Sequence, residues 1–409
     1  YKEHYIPAFE KLMAEKGTPV KVELVDYPSP DDPYREKLVL DFAAGQAPDV
    51  VMVDAFYLGA DSEAGYLLDL TDRVNAWEDW DQWLPALKES VTFNGRVWGL
   101  MMDTDVRPIY YRKDIFKKAG LPVPWQPQSW DDILEAARTI KEKVPDVYPV
   151  AIKSGKLGGE ATTMQGFYML LLGAGGRLYD ANTGKWITKS PALLDTLKFY
   201  ATIYKEGLST PPEFWLAGSP VTKIHELLRD GKVAIIPTWD GVWYDCGPGG
   251  KWEIPNRDEV LAYAKMPAKE PGAGIRGQDF VTISGGWAMA IYAKTKHPDL
   301  AWEFLKFIHS REEILARKLE IPGGGLPARK DVLEDPKWRE SVDEYTRWRA
   351  DELLPLTTFR PPLEVYPKVS EAVQTATENI LLGMSPEEAL ETYAKEVASY
   401  VGAENTEEK

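Results

Sequence analysis

Cysteine, histidine and the side-chain amides are scarce in this chain of 409 residues. A single cysteine, Cys246, excludes an internal disulfide and does not fix the redox compartment. Four scattered histidines argue against a histidine-rich metal site, so we predict neither a metal nor a cofactor. Asn and Gln together number only 13, and their scarcity beside a lone cysteine is typical of thermophile proteins.

Long apolar runs and basic runs are also missing. The longest apolar stretch, residues 167–176, is much shorter than the roughly 18 residues that a membrane span requires. The formal net charge is −16, and no Lys/Arg-rich segment offsets it. Because phosphate binding needs a basic surface, we predict no nucleic-acid partner.

Length and aromatic residues are what the chain has in abundance. Its length suits two domains, since single hydrophobic cores stop growing at about 250–300 residues. It contains 15 Trp, 20 Tyr and 12 Phe residues. Most of them are expected in the core, but the surplus favours a stacking surface for the flat apolar face of a ligand.

Strand patterns alternate with helical patterns in the first half of the chain, which predicts α/β units with helices on both faces of a sheet. Residues 20–27 read as an alternating strand and residues 48–54 as a buried one. Residues 297–319 read as one long amphipathic helix.

Two helix starts carry a capping-box signature. Ser129 is followed three residues later by Asp132, and Ser385 by Glu388. In such a box each side chain accepts a hydrogen bond from the other residue's backbone N–H. We therefore predict that helices begin immediately after both serines.

Four aspartates stand at the ends of predicted strands with aromatic residues nearby: Asp54, Asp103, Asp105 and Asp240. Ligands bind at the carboxyl ends of strands in α/β sheets. Carboxylates placed there accept hydrogen bonds from sugar hydroxyls, or a pair of them catalyses glycoside hydrolysis. The alternative is that they are solvated loop acids or helix caps.

The stretch "SGGWAMAIY" begins a strand with two glycines, Gly285 and Gly286, followed by Trp287. Glycine weakens a strand, so the pair needs a reason. A bulge is one interpretation, and close approach of a ligand to the backbone beside Trp287 is the other.

Two motif matches lack their structural context. Residues 272–277, "GAGIRG", fit the dinucleotide fingerprint, but a strand-like segment follows where a helix should begin. Residues 225–229, "HELLR", carry Arg229 where a zinc motif needs its second histidine.

Six blocks in order resemble an extracellular solute-binding protein of a carbohydrate ABC importer (family 1), and within that family the trehalose/maltose-binding branch. The resemblance covers nearly the whole chain. The blocks are residues 48–74, 98–124, 129–141, 231–243, 284–308 and 385–397.

The resemblance implies a two-lobed α/β fold of the periplasmic-binding-protein type (type II), with the ligand in a cleft between lobes joined by hinge crossovers. Lobe one is expected to comprise residues 1–106 plus 280–325, and lobe two residues 107–279 plus 326–409. The crossovers are expected near Thr104–Tyr110, Asp279–Trp287 and Gly323–Arg329.

The resemblance also implies the residues that contact the ligand. Asp54 and Asp105 match family acids that bind sugar hydroxyls, and Asp103 lines the same strand as Asp105. Trp239, followed by Asp240, matches a stacking platform of lobe two. The remaining matches are Gly286, Trp287, Arg360, Tyr366 and, less closely, Arg35.

Two departures make the predicted site more polar than the family pattern. Asp103 replaces an aromatic residue expected beside Asp105, and Arg107 adds a charge nearby. The sequence as given opens on the first helix, so the ligand residue that family members carry on a preceding strand and loop is not among these candidates.

We therefore predict a non-enzymatic protein that binds a di- or oligosaccharide, an α-glucoside of the trehalose/maltose type, and delivers it to a membrane ABC permease. A binder of an acidic sugar, polyol or sugar phosphate stays open because of Arg35, Arg107 and Arg360. A glycosidase using the aspartates is the remaining alternative. The resemblance implies a monomer in the periplasm or on the extracellular face of the membrane, with lipid anchoring left open.

Overall fold

A computed structural model of the chain describes residues 1–27, 32–321 and 323–409, which belong to two compact units. Unit 1 comprises Tyr1–Thr104, Gly286–Asp343 and Pro362–Glu364. Unit 2 comprises Asp105–Gly285, Glu344–Pro361 and Val365–Lys409. The elements below are numbered along the whole chain.

Unit 1 is a small antiparallel sheet with helices packed on it. Its strands are β1 (Val50–Asp54), β2 (Thr92–Phe93), β3 (Arg96–Val97), β4 (Leu100–Met101), β5 (Asp103–Thr104), β14 (Trp287–Ile291) and β15 (Leu326–Pro327). Its α-helices are α1 (Tyr5–Glu15), α2 (Asp32–Ala44), α3 (Leu58–Glu63), α4 (Thr71–Asn75), α5 (Pro85–Ser90), α15 (Pro298–Ile308), α16 (Arg311–Glu320), α17 (Lys330–Leu333) and α18 (Pro336–Ser341). The main sheet has the order β1-β14-β4, and β2 pairs with β3 and β5 with β15.

Helix α1 shows why this sequence is helical. Its buried residues Tyr5, Phe9 and Met13 recur every four positions, which places them on one face of a helix. Phe9 packs edge-on against Phe304 of α15, with ring centroids 5.1 Å apart. The apolar face of α1 is therefore buried against α15 within unit 1.

Unit 2 is richer in helices and contains a four-stranded mixed sheet. Its strands are β6 (Ile109–Arg112), β7 (Tyr148–Val150), β8 (Tyr179–Asp180), β9 (Lys185–Lys189), β10 (Val233–Pro237), β11 (Leu261–Ala264), β12 (Met266–Pro267), β13 (Phe280–Val281) and β16 (Thr406–Glu408). Its α-helices are α6 (Lys113–Ala119), α7 (Trp130–Lys143), α8 (Glu160–Thr162), α9 (Tyr168–Gly173), α10 (Pro191–Lys205), α11 (Pro212–Trp215), α12 (Pro220–Arg229), α13 (Val242–Asp245), α14 (Arg257–Val260), α19 (Glu344–Trp348), α20 (Tyr366–Leu381) and α21 (Pro386–Val401).

The main sheet of unit 2 has the order β11-β6-β10-β7, in which only the β10/β7 pair is parallel. Aromatic side chains build the core beside it, among them Trp215, Trp243 and Tyr345. Cys246 lies in this core, and burial raises the pKa of its thiol to about 12. The cysteine is thus a packed, unreactive residue.

The two predicted capping boxes are confirmed. The Ser129 side chain accepts a hydrogen bond from the Asp132 backbone N–H, and Asp132 accepts one from Ser129 in return. Ser385 and Glu388 form the same reciprocal pair at the start of α21. Both helices thus satisfy backbone donors that their own turns leave unpaired.

The predicted strand at residues 20–27 is wrong. This segment forms no β-ladder within the described part of the chain, and Leu24 and Val25 are 43% and 52% exposed. Alternation of apolar residues supports a strand only where one face is buried. The apolar side chains of this segment are not buried against a core, so the alternation did not produce a strand.

The predicted long helix at residues 297–319 is two helices, α15 and α16. The break falls at Ser310, whose backbone is extended and whose hydroxyl accepts a hydrogen bond from the Glu313 backbone N–H. Serine competes with the helix through its own side chain and favours caps over interiors. An amphipathic pattern continued across a cap residue, which concealed the break.

The chain passes from unit 1 to unit 2 between Thr104 and Asp105, and returns between Gly285 and Gly286. Both passages lie within segments predicted as crossovers. The third was placed wrongly, because residues 326–343 belong to unit 1 and the next passage lies after Asp343. Leu326 pairs with Thr104 in the β5/β15 ladder, which holds this segment in unit 1.

Among the residues that the structure describes, no helix combines the length and apolar character needed to cross a bilayer.

The capping box of α7 makes a direct prediction about stability. Ser129→Ala removes the side-chain acceptor of the Asp132 N–H, so unfolding of unit 2 should become easier by about 1 kcal/mol. Urea unfolding monitored by circular dichroism measures the change. Ser399→Ala, which alters an exposed serine inside α21, is the control. Equal losses in both variants would contradict a specific role for the cap.

Candidate functional site

Asp54 and Trp287 lie side by side at one end of the unit 1 sheet. They are register partners in the antiparallel pair β1/β14, so their side chains share one face with Cβ atoms about 4.5–5.5 Å apart. The Ala55 N–H donates to the Gly286 carbonyl at 3.1 Å, which continues the pairing past the strand end. Both side chains are half-buried. A carboxylate and an indole are thus held together by backbone geometry.

Tyr34 contacts Trp287 edge-on, with ring centroids 5.5 Å apart and the rings at 84°. Its hydroxyl donates to the Met52 carbonyl at 2.6 Å, which fixes the phenol against β1. Burial raises the pKa of Tyr34 to about 12, so it stays a neutral donor. Nothing in the sequence pattern singled out Tyr34, although it immediately precedes Arg35 in α2.

Arg35 forms an ion pair with a buried carboxylate of its own unit. Its guanidinium donates two hydrogen bonds of 2.7 Å to the buried carboxylate of Asp61 and lies 4.0 Å from the Tyr57 ring centroid. Burial raises the pKa of Asp61 and Arg35 opposes it, with a net rise. Arg35 therefore neutralises a buried acid and packs on Tyr57.

Asp103 is also held by cations of unit 1. Lys318 donates to its carboxylate at 3.0 Å, and Arg317 lies 3.5 Å away. Burial raises the pKa of Asp103, but Lys318 and Arg317 outweigh it and the net shift is downward. The carboxylate thus anchors α16 to β5, an arrangement that spacing alone did not predict.

In unit 2, Asp105 joins two distant segments of the chain. It accepts a hydrogen bond from the Gly285 N–H at 2.7 Å and pairs with both terminal nitrogens of Arg107. The Arg107 backbone N–H donates to the Thr282 hydroxyl at 2.8 Å, and one of its terminal nitrogens donates to the Ile283 carbonyl at 3.1 Å. Residues 105–107 and 282–285 are therefore joined by hydrogen bonds into one corner of unit 2.

Gly285 belongs to this corner for a steric reason. A Cβ at this position would lie 3.3 Å from the guanidinium nitrogens of Arg107 and Arg360, and 2.6 Å from the methyl group of Met164. Its neighbour Gly286 has φ of +150°, a conformation that side chains rarely adopt. Both glycines are thus required by local packing and backbone conformation.

Asp240 is buried and forms a structural ion pair. Its carboxylate accepts from Arg349 at 2.6 Å and from the Val106 N–H at 3.2 Å. Burial is the largest influence and raises the pKa of Asp240, while Arg349 acts against it. Trp239, the preceding residue, is half-buried and lies two residues beyond β10. The two neighbours therefore have different surroundings, and Asp240 is turned into the protein.

Arg360 and Tyr366 meet at a residue that sequence reasoning missed, Glu160. Its carboxylate accepts from Arg360 at 3.2 Å, from the Tyr366 hydroxyl at 2.7 Å and from the Ser370 hydroxyl at 2.5 Å. Tyr366 is completely buried. A glutamate that follows the "SGKLGG" loop offered no pattern that distinguishes it from a solvated acid.

The candidate residues therefore form separate groups. Within unit 1, Asp54 lies beside Trp287, whereas Arg35 and Asp103 are bound into ion pairs. Within unit 2, Arg360 and Asp105 both lie near Gly285, and Asp240 is held by Arg349. Across the described ranges, no cluster of His, Cys, Asp and Glu could hold a metal ion.

Comparison with known proteins places these units in a family. A family model described as bacterial extracellular solute-binding protein matches residues 3–313. The maltodextrin-binding protein of Bacillus subtilis is 23% identical over 424 aligned residues, which cover 100% of this chain and 88% of that protein.

Two solved structures share the fold. A solute-binding protein of a Thermotoga lettingae ABC transporter, bound to α-D-tagatose, has a TM-score of 0.73 at 27% identity, covering 98% of this chain and 96% of its own. A maltose-bound protein of T. maritima has a TM-score of 0.76 at 24% identity, covering 97% and 95%.

These likenesses confirm the predicted two-lobed solute-binding fold and the resemblance on which it was based. The family consists of binding proteins rather than enzymes, so the glycosidase alternative is set aside. Family membership also implies a location outside the cytoplasmic membrane and a permease as partner. The chain belongs to the bacterial extracellular solute-binding proteins of ABC importers.

Proposed function

We propose that this protein binds a di- or oligosaccharide, an α-glucoside of the maltose or trehalose type, and delivers it to an ABC permease. The observation that carries the proposal is the pairing of Asp54 with Trp287 at the end of the β1/β14 ladder. The relatives that bind maltodextrin, maltose and tagatose support a sugar as the solute class. A monomeric state and a lipid anchor stay predictions.

The chemistry of the pair suits a sugar. A hydroxyl rim donates hydrogen bonds to the carboxylate, each contributing about 1.5–3 kcal/mol because the acceptor is charged. The C–H face of a pyranose ring packs on the indole, which presents a large rigid surface at low entropic cost. One carboxylate beside one indole therefore recognises both features of the same ring.

We assign direct ligand contacts to Asp54, Gly286 and Trp287 in unit 1 and to Trp239 in unit 2. The other six predicted residues bind partners of their own unit. Arg35, Asp103, Asp105 and Asp240 are bound into ion pairs, and Arg360 and Tyr366 bind Glu160.

A neutral ligand is favoured over an acidic sugar or a sugar phosphate. The three arginines that kept the anionic alternatives open, Arg35, Arg107 and Arg360, each bind a carboxylate of their own unit. Their charge is therefore balanced before any ligand arrives. A neutral polyol remains the second candidate, because it presents hydroxyls without a charged group.

A thermal-shift panel tests the proposal. We expect maltose, trehalose or maltotriose to raise the melting temperature, since a ligand that binds only the folded state stabilises it. Ribitol, glucuronate and a sugar phosphate serve as the polyol and anionic comparisons. A shift with the anionic compounds alone would overturn the neutral-glycoside proposal.

Trp287→Ala should weaken binding of the glycoside found in the panel by about 1–3 kcal/mol, the effect of removing a stacking contact. Isothermal titration calorimetry measures it. Trp77→Ala is the matched control, because Trp77 is a half-buried tryptophan of the same unit that packs on Trp83 and Trp302. It should lower the melting temperature and leave affinity unchanged. Equal affinity in Trp287→Ala and wild type would assign Trp287 to the core.

Asp240→Asn should act on stability. The substitution leaves the buried Arg349 without its charge partner, and breaking such a pair typically costs about 3–5 kcal/mol. The melting temperature of the ligand-free protein should fall, while the folded protein keeps its affinity. Lost affinity at an unchanged melting temperature would show instead that Asp240 contacts the ligand.

A further inference from the structure

Lys153 of unit 2 is a buried amine without a carboxylate partner. Lys153 is only 2% exposed. No salt bridge of the described residues includes its ammonium nitrogen, whereas Arg107 and Arg360 of the same unit each have a carboxylate partner. A buried charge left unpaired is costly, so its retention needs a reason.

The position of Lys153 suggests that reason. It follows β7, which runs parallel to β10, so the carboxyl ends of the two strands meet at the same edge of the sheet. Its Nζ donates to the Thr238 hydroxyl at 2.7 Å. Thr238 directly precedes Trp239, a half-buried tryptophan two residues beyond β10. The amine therefore binds the direct sequence neighbour of the residue that we assign to ligand stacking.

The hydrogen bonds around Thr238 leave Lys153 with unused donors. Thr238 donates to the Gln165 side-chain oxygen at 3.1 Å and therefore accepts from His225 Nε2, also at 3.1 Å. Burial lowers the pKa of His225 well below its usual range, so the ring is neutral. A protonated lysine has three donors, and within the described residues only the bond to Thr238 engages one.

Titration of the amine is coupled to its surroundings. Burial, assisted by the charge of Arg107, lowers the pKa of Lys153 to about 7. Two further titratable groups bind its neighbouring atoms: His225, which shares Thr238 with the amine, and Tyr200, whose hydroxyl donates to the Lys153 backbone carbonyl at 3.0 Å. Any oxygen that accepts from the ammonium would favour the charged form and raise this pKa.

We propose that Lys153 is a ligand-binding residue that donates to an oxygen of the bound sugar beside Trp239. The inference rests on the proposed function and deepens it, since it makes sugar capture a proton-linked event. Above the pKa of the free protein the amine is neutral, so binding must take up a proton there. Affinity should therefore weaken as pH rises above about 7.

Lys153→Met tests the proposal, because methionine keeps the apolar stem and removes the amine. Maltose is the probe, titrated at about pH 8 in phosphate and in Tris, whose different ionisation heats reveal proton uptake. Wild type should take up a fraction of a proton. The variant should take up none and bind at least tenfold more weakly at pH 7. Lys156→Met, an exposed lysine three residues along, should behave as wild type.

The melting temperature of the ligand-free protein separates a binding role from a structural one. Removing an unpaired buried amine should keep or raise it in Lys153→Met. A lowered value together with wild-type affinity would overturn the inference, as would binding by wild type without proton uptake. If Lys153→Met does not fold, wild-type proton uptake decides.

Failure of the proposed function would be recognised separately, because no panel sugar would then bind wild type. The ligand-free comparison still decides about Lys153 in that case. A higher melting temperature in Lys153→Met supports an amine retained for a solute of other chemistry. A lower one identifies Lys153 as a structural residue.

Discussion

The carboxylate of Asp105 joins two segments of unit 2 that are 180 residues apart in sequence. It binds the Gly285 N–H and the Arg107 guanidinium, and Arg107 in turn reaches the carbonyl of Ile283. These segments are where the chain enters unit 2 from unit 1 and where it leaves again. Both passages therefore start from one hydrogen-bonded corner of unit 2.

Carboxylates in and around the candidate site are balanced by cations of their own unit. Asp61, Asp103, Asp240 and Glu160 each bind an arginine or a lysine of their own unit. Such pairs hold segments together without leaving a buried charge exposed to an apolar environment. They also leave little net charge for a charged solute to recognise. Lys153 departs from this pattern, and that departure is the basis for its assigned role.

Much of the fold was predictable from sequence because its signals are local. The capping boxes at Ser129 and Ser385 specify helix starts through residues three positions apart, and both were found. Resemblance in six ordered blocks identified the family. Failures occurred where the deciding contact lies far away in sequence. Residues 20–27 needed a partner strand, and residues 326–343 were assigned to the wrong unit because Leu326 pairs with Thr104.

The site residues illustrate the same limit more sharply. Four aspartates at strand ends looked equivalent, yet Asp240 meets Arg349, 109 residues away, and Asp103 meets Lys318, 215 residues away. No spacing rule connects a strand-end acid to a cation that distant. A carboxylate beside an aromatic residue is therefore an incomplete signal for a ligand contact. The sharper criterion is whether the acid has a buried cation in its own unit.

The adjacent glycines Gly285 and Gly286 are required for two different physical reasons. Gly285 was expected to permit close approach of a ligand to the backbone, whereas the groups that lie close to it in the structure include the guanidinium groups of Arg107 and Arg360. Gly286 has the backbone conformation that only glycine adopts readily, and its carbonyl accepts from Ala55 directly after Asp54. The pair thus sets the position from which Trp287 begins β14. Packing requires the glycines, and through them it places the indole beside the carboxylate of Asp54.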